Sequence, residues 1–121
     1  MRKTYEQMIK CNCDTANTLA IIGGKWKILI LYHLSKSNKG FNELCRLLSS
    51  ITPHTLSKDL KELIEDELVK KTILQDIPPK TSYTLTDKGR ELETVLIEIK
   101  KFGHKYPINK YNNLDKSIVD N

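Results

Sequence analysis

The stretch from Thr52 to Asp66, TPHTLSKDLKELIED, constrains this chain most, because it carries its own start signal and divides its residues among three chemically different faces. Thr52 suits the position that caps a helix, where a hydroxyl accepts a hydrogen bond from the first turn. Pro53 suits the first helical position, where its missing N–H costs nothing. At about 100° per residue, Leu56, Leu60, Leu63 and Ile64 share one side, and His54, Ser57, Lys58 and Lys61 a second. Asp59, Glu62 and Asp66 fall on a third. An amphipathic helix of this length ordinarily covers a core, with its charges forming a solvated face. Its neighbours raise this one above that reading. A short helical segment precedes it and a basic hairpin follows, which is the order of a helix-turn-helix with a wing.

The remaining chain fits one small domain. Its 121 residues are enough to bury a core without disulfides or metal. Twenty Lys and Arg against 15 Asp and Glu leave a formal charge of +5, which favours an acidic partner, nucleic acid above all. No apolar run approaches the roughly 20 residues of a membrane span, and MRKTYEQMIK lacks the apolar stretch of a signal peptide. A cytoplasmic protein with no membrane partner is expected. Three cysteines, Cys11, Cys13 and Cys45, are an odd number and too few for a disulfide framework, so they read as free thiols.

In chain order, residues 1–13 are largely polar and read as an N-terminal arm. Capped by Asp14 or Thr15, a first helix follows through Ala16, Leu19, Ala20 and Ile22 and stops at Gly23-Gly24. Trp26 to Leu34 is apolar nearly all round and too short for periodicity to separate helix from strand; we read it as helix. Ser35 to Gly40 form a loop to which Lys36 and Lys39 lend positive charge. Phe41, Leu44, Leu47 and Leu48 then mark a two-turn helix, closed by Ser49-Ser50 and a turn to Ile51. Beyond Asp66 the period becomes alternating. Val69, Lys71 and Ile73 fall on one face of a strand, and Thr81, Tyr83 and Leu85 on one face of the next. Gln75 to Lys80 make the loop between them, stiffened by Pro78-Pro79.

Thr86 caps a last long helix, with Asp87 at its positive end. Leu92, Val95, Leu96, Ile99, Phe102 and Tyr106 line one face of it until Pro107. That stripe exceeds what a small winged domain needs for its own core. Part of it is expected to pack on a second subunit rather than fold back on its own domain, since small helix-turn-helix proteins commonly bind DNA as two-fold dimers. The fold class is therefore mainly α with a small β wing, a winged helix-turn-helix spanning 14–106 that dimerises through terminal helices. Residues 107–121 are a tail.

Enzyme readings fail on the residues. There is no G-x-S-x-G elbow, and Gly23-Gly24-Lys25 lacks the first glycine and the Ser or Thr of a phosphate loop. Cys11, Cys13 and His104 lack the spacing of a structural zinc site. No cofactor or metal is expected. His33 and His104 read as packing or surface histidines, and His54 differs in standing at the front of the Thr52 helix.

The chain resembles the HxlR-type winged helix-turn-helix transcriptional regulators of bacteria. The resemblance rests on Cys13, Ile22-Gly23-Gly24-Lys25-Trp26, Ile28-Leu29, Leu31 and Phe41-Asn42-Glu43-Leu44. It continues through Ile51-Thr52-Pro53, Leu56, Leu60, Leu63, Leu68-Val69, Ile77-Pro78-Pro79-Lys80, Tyr83-Thr84-Leu85-Thr86 and Gly89. Its specificity lies in the joint order of GGKW, FNEL, PPK and YTLT. It implies a homodimer on a two-fold-symmetric operator in double-stranded DNA, with a recognition helix in each of two major grooves and the wings near the flanking backbone. It also implies a helix for Trp26 to Leu34. Two positions depart from the family. Glu67 stands where a glycine commonly ends the recognition helix in a left-handed conformation, and Asp14 stands where proline usually follows the cysteine.

On this reading His54, Thr55, Ser57 and Lys58 reach base edges, Lys61 and Lys80 meet phosphates, and Lys39 adds charge from its loop. The competing class is a winged-helix module that binds RNA or a protein partner. A protein-docking face would show outward Leu, Phe or Tyr on the Thr52 helix, and none is there. Several members of the family sense oxidants or electrophiles through a cysteine near Cys13, so the resemblance points there for redox control, with a disulfide across the dimer as the oxidised form. A helix N-terminus and Lys10 favour the thiolate, whereas the Asp14 carboxylate opposes it. The bland alternatives are an unreactive interface thiol at Cys13 and a buried small apolar residue at Cys45.

Overall fold

Leucine and isoleucine at helical spacing, followed by a short alternating segment, leave one economical solution: helices stacked around a single core, with a hairpin whose base alone touches it. A computed structural model of the chain describes residues 13–108 and has this form. Among them run α1 (Asp14–Ile22), α2 (Lys27–Lys36), α3 (Phe41–Leu47), α4 (Pro53–Glu65), β1 (Val69–Gln75), β2 (Lys80–Leu85) and α5 (Asp87–Lys105). The expectations placed on residues 1–12 and 109–121 lie outside the described residues.

The core gathers Ile22, Ile30, Leu31, Leu34, Leu44, Leu48 and Ile51 with Leu56, Leu60 and Leu63 of α4, Leu68, and Val69, Tyr83 and Leu85 from the hairpin base. The segment at Trp26 is a helix, as read. Trp26 itself stands at its N-cap and Lys27 is its first residue. The α1 cap differs from expectation. Neither Asp14 nor Thr15 caps; Cys13 occupies the N-cap with no side-chain hydrogen bond, and Asp14 is already helical in the first turn. There its carboxylate faces the positive end of the helix dipole. Gly24, at φ 100°, makes the reversal into α2 that a side chain would resist.

β1 and β2 pair antiparallel with Val69 opposite Leu85, Lys71 opposite Tyr83 and Ile73 opposite Thr81, so the two faces read from alternation do meet. Burial is confined to the base. Past Val69, β1 is exposed throughout, and the strand breaks register between Ile73 and Gln75. The amide of Gln75 donates to the Pro78 carbonyl at 3.0 Å across the tip. Lys39 pairs with Tyr83 through two backbone hydrogen bonds of 3.1 and 2.7 Å, fastening the loop before α3 to the wing. Lys39, expected to lend its loop positive charge, is not open to solvent: the residue is 8 % exposed, and its ammonium donates to the Ser37 hydroxyl and carbonyl.

His33 is a packing residue. It is buried on α2, edge-on to Tyr32 with ring centroids 5.3 Å apart. Burial, then the charges of Lys39 and Lys36, hold its imidazole below the ordinary histidine range.

Candidate nucleic-acid interface

Recognition by a helix requires one face sunk in the core and the opposite face clean and polar. α4 meets both conditions. Leu56, Leu60 and Leu63 are buried, while His54, Ser57, Lys58 and Lys61 are exposed. The start is built as the sequence indicates: Pro53 opens the helix, and the Thr52 hydroxyl accepts from the Thr55 N–H at 3.1 Å while donating to the Thr55 hydroxyl at 2.9 Å. Thr55 is consequently half-buried and engaged within the cap.

The end of α4 is where Glu67 enters. Its φ is +64°, the left-handed conformation that a glycine would take without strain. Glu67 N–H bonds to the Ile64 carbonyl at 3.0 Å and Leu68 N–H to the Leu63 carbonyl at 2.9 Å. These are the two reversed bonds of a Schellman C-cap. The helix therefore ends as a glycine would end it, with a glutamate in the strained place.

Three contacts then tie this end to α5. Thr86 donates its hydroxyl proton to the Glu67 carbonyl at 2.6 Å and its N–H to the Leu68 carbonyl at 3.1 Å, and Lys88 Nζ donates to the Asp66 carbonyl at 3.1 Å. Approach is so close that a Cβ on Gly89 would lie 2.2 Å from the Leu68 carbonyl oxygen. Hence the glycine of the YTLT-x-x-G stretch is a matter of space. Thr86 also caps α5, accepting from Gly89 N–H at 3.0 Å.

The third face of α4 is not a uniform solvated acidic stripe. Glu62 is buried, 2.6 Å from Lys27 Nζ, and both side chains are nearly inaccessible. The sequence reading missed this pair because Lys27 sat in an apolar run and Glu62 among charges. Asp59 is half-buried; burial lifts its carboxyl above the usual range, with Lys27 opposing, Glu62 adding and Lys58 opposing.

Around α4, Lys80 is exposed at the start of β2, beside a tip on which Ile77 is almost wholly exposed. Cys13 is exposed at the start of α1, and Cys45 is half-buried on α3. His104 lies exposed near the end of α5, and among the described residues no group of three His, Cys, Asp or Glu is placed to hold a metal ion. No helix among them is long and apolar enough to cross a membrane.

A two-turn helix, a tight turn, a second helix with a polar outer face and an adjoining basic hairpin define a winged helix-turn-helix of the transcription-regulator class. The chain belongs to the HxlR-like helix-turn-helix family, whose model matches residues 21–111. It is 44 % identical over 94 residues to YdeP of Bacillus subtilis (strain 168), an uncharacterized HTH-type transcriptional regulator, covering 78 % of this chain and 73 % of that one. Among solved structures it resembles the redox regulator HypR in its reduced form, with a TM-score of 0.75 and 39 % identity over 77 % of this chain and 92 % of the other. The reduced form of the transcriptional regulator YodB from B. subtilis matches with a TM-score of 0.69 and 30 % identity, covering 78 % and 94 %.

Proposed function

We propose that this protein is a sequence-specific DNA-binding transcriptional regulator that reads a two-fold-symmetric operator as a homodimer. The observation that carries the reading is the outer face of α4, where His54, Ser57, Lys58 and Lys61 stand exposed opposite three buried leucines. Hydroxyl, imidazole and ammonium groups are the ones that meet base edges and phosphates. His54, Ser57 and Lys58 stand exposed in the first two turns, which suits base contacts, with Thr55 beside them held in the cap by Thr52. Lys61 and Lys80 suit phosphates, with Lys39 contributing charge from behind the wing rather than an open side chain.

Support for the homodimer comes from α5. Of its apolar stripe Leu96 is buried, whereas Val95, Ile99, Phe102 and Tyr106 are exposed, and Phe102 is 68 % so. Leu19 adds an exposed apolar side chain on α1. An exposed apolar helix face of this kind marks an interface, and the second copy brings its own α4 to an adjacent groove. Sequencing genomic DNA recovered with the purified protein tests the reading. Enrichment of fragments sharing an inverted repeat is expected, and recovery no richer than input would refute it.

Control by oxidation of Cys13 is the finer part of the proposal. It is supported by the exposure of Cys13 at the start of α1 and by the redox regulators among the structural relatives. Two Cys13 thiols, one from each copy, would join as a disulfide, their two protons and two electrons passing to an oxidant such as diamide. The bond would reset the distance between the two α4 helices, which the operator fixes. Gel-shift titrations with and without diamide should show altered affinity for wild type and none for Cys13→Ser. Unchanged wild-type affinity, or a full response in Cys13→Ser, would exclude Cys13 as the switch.

A further inference from the structure

The buried pair Lys27–Glu62 sits where it is costly. Lys27 is the first residue of α2, so its ammonium faces the positive end of that helix's dipole, and it is 2 % exposed. A buried cation in that place needs a close anion, and Glu62 of α4 supplies one at 2.6 Å. Such pairs are poor devices for stability, since well-packed apolar side chains of similar volume commonly serve as well or better. What an ion pair adds is direction. The contacts of Leu56, Leu60 and Leu63 are apolar and non-directional, and they tolerate a small rotation of α4 about its axis. A 2.6 Å contact from a neighbouring helix does not.

The geometry of α4 makes that rotation matter. Glu62 lies one turn beyond Lys58, on the face between the exposed lysines and the buried leucines, and a helix turns as one body, so what holds Glu62 sets the direction of Lys58 and Lys61. At a helix radius of about 6 Å including side chains, a turn of about 20° moves a side-chain tip by about 2 Å. Hydrogen bonds to base edges tolerate only about 0.5 Å in length. We infer that Lys27 and Glu62 are positioning residues that fix the rotation of the recognition helix, so that their pairing supports discrimination between DNA sequences rather than affinity for DNA in general. The inference rests on the proposed DNA reading of α4.

The test is a double variant, Lys27→Met/Glu62→Leu, which removes both charges and keeps an apolar contact. Binding is measured to two probes: a duplex selected by the wild-type protein from a random-sequence pool, and a scrambled duplex of the same length and composition. The variant should melt no lower than wild type and bind the scrambled duplex within about twofold of it, because neither residue is exposed to touch DNA. Its ratio of selected to scrambled affinity should fall at least tenfold. An unchanged ratio in the folded variant overturns the inference. So does an equal loss on both probes, which would mark the pair as structural only. Failure of the underlying reading is separate and shows in the wild type itself, as no preference for any selected duplex.

Discussion

The Thr86 hydroxyl lies 2.6 Å from the Glu67 carbonyl, and through it the residue that opens α5 holds the residue that closes α4. The same oxygen accepts from Gly89 N–H at 3.0 Å, so one side chain caps one helix and anchors the end of another. The helix that carries the apolar stripe proposed for the dimer is thereby bonded to the end of the helix proposed for DNA. A change in how two copies meet along α5 would reach α4 through these contacts.

Glu67→Gly should stabilise the protein. A non-glycine residue at φ +64° costs on the order of 1–2 kcal/mol, of which glycine's greater unfolded-state freedom takes back about 0.5–1. A net gain of roughly 0.5–1 kcal/mol is expected in urea unfolding, whereas Glu67→Ala, which keeps a Cβ, should gain nothing of this kind. Equal stability of the glycine and alanine variants would show that the Schellman turn stores no strain.

Gly89→Ala should do the reverse. Its Cβ would meet a backbone oxygen at 2.2 Å, and backbone cannot swing aside as a flexible side chain can. A loss of about 1–3 kcal/mol follows from overpacking of this kind. Thermal unfolding with the wild-type midpoint retained would contradict the close packing of α5 on the end of α4.

Protonation of His33 links stability to pH. Its folded-state value lies below its ordinary one, so the contribution of neutral, buried His33 is complete above about pH 6.5 and is lost as pH falls through the folded value. Asp59 runs the other way, because burial raises its carboxyl and protonation on acidification relieves it. Urea midpoints measured between pH 5 and 8 should therefore rise with pH in wild type and rise less in His33→Gln. Parallel curves would remove His33 from the explanation.

The double variant Ile99→Asp/Phe102→Asp should be monomeric by light scattering at concentrations where wild type is a dimer, with its fold intact by circular dichroism. Both side chains are exposed, at 45 % and 68 %, so charging them leaves the core alone. A wild-type protein that is itself monomeric at these concentrations would refute the role given to the stripe.

Reading and anchoring should separate as well. Lys58→Ala is expected to cost about 1–3 kcal/mol and to alter sequence preference, while Lys80→Ala weakens binding to all sequences alike and lowers the salt slope by about one. Identical effects of the two changes on every duplex would refute the division.

Much of this was legible in the residues. Caps at Thr52 and Thr86, stops at Gly23-Gly24, alternation in the hairpin and the three leucines of α4 are local signals, and local chemistry places them. The left-handed Glu67 was legible through comparison with the family pattern. What escaped depends on contacts far apart in the chain. Lys27 and Glu62 stand on α2 and α4 with the whole of α3 between them, and nothing near either residue marks it as one of a pair. Lys39 is buried because Tyr83, over forty positions later, pairs with its backbone. At α1 the capping residues misled for a different reason: Asp14 and Cys13 differ by one position, and a carboxylate satisfies the helix dipole from inside the first turn as well as from the cap.

Hydroxyl-radical footprinting of a duplex recovered from the genome with the wild-type protein tests most directly whether two copies of α4 read one two-fold site. Two symmetric protected half-sites are expected, their centres about one helical turn, roughly 34–36 Å, apart. A single asymmetric half-site, protected by a monomer, would contradict the account.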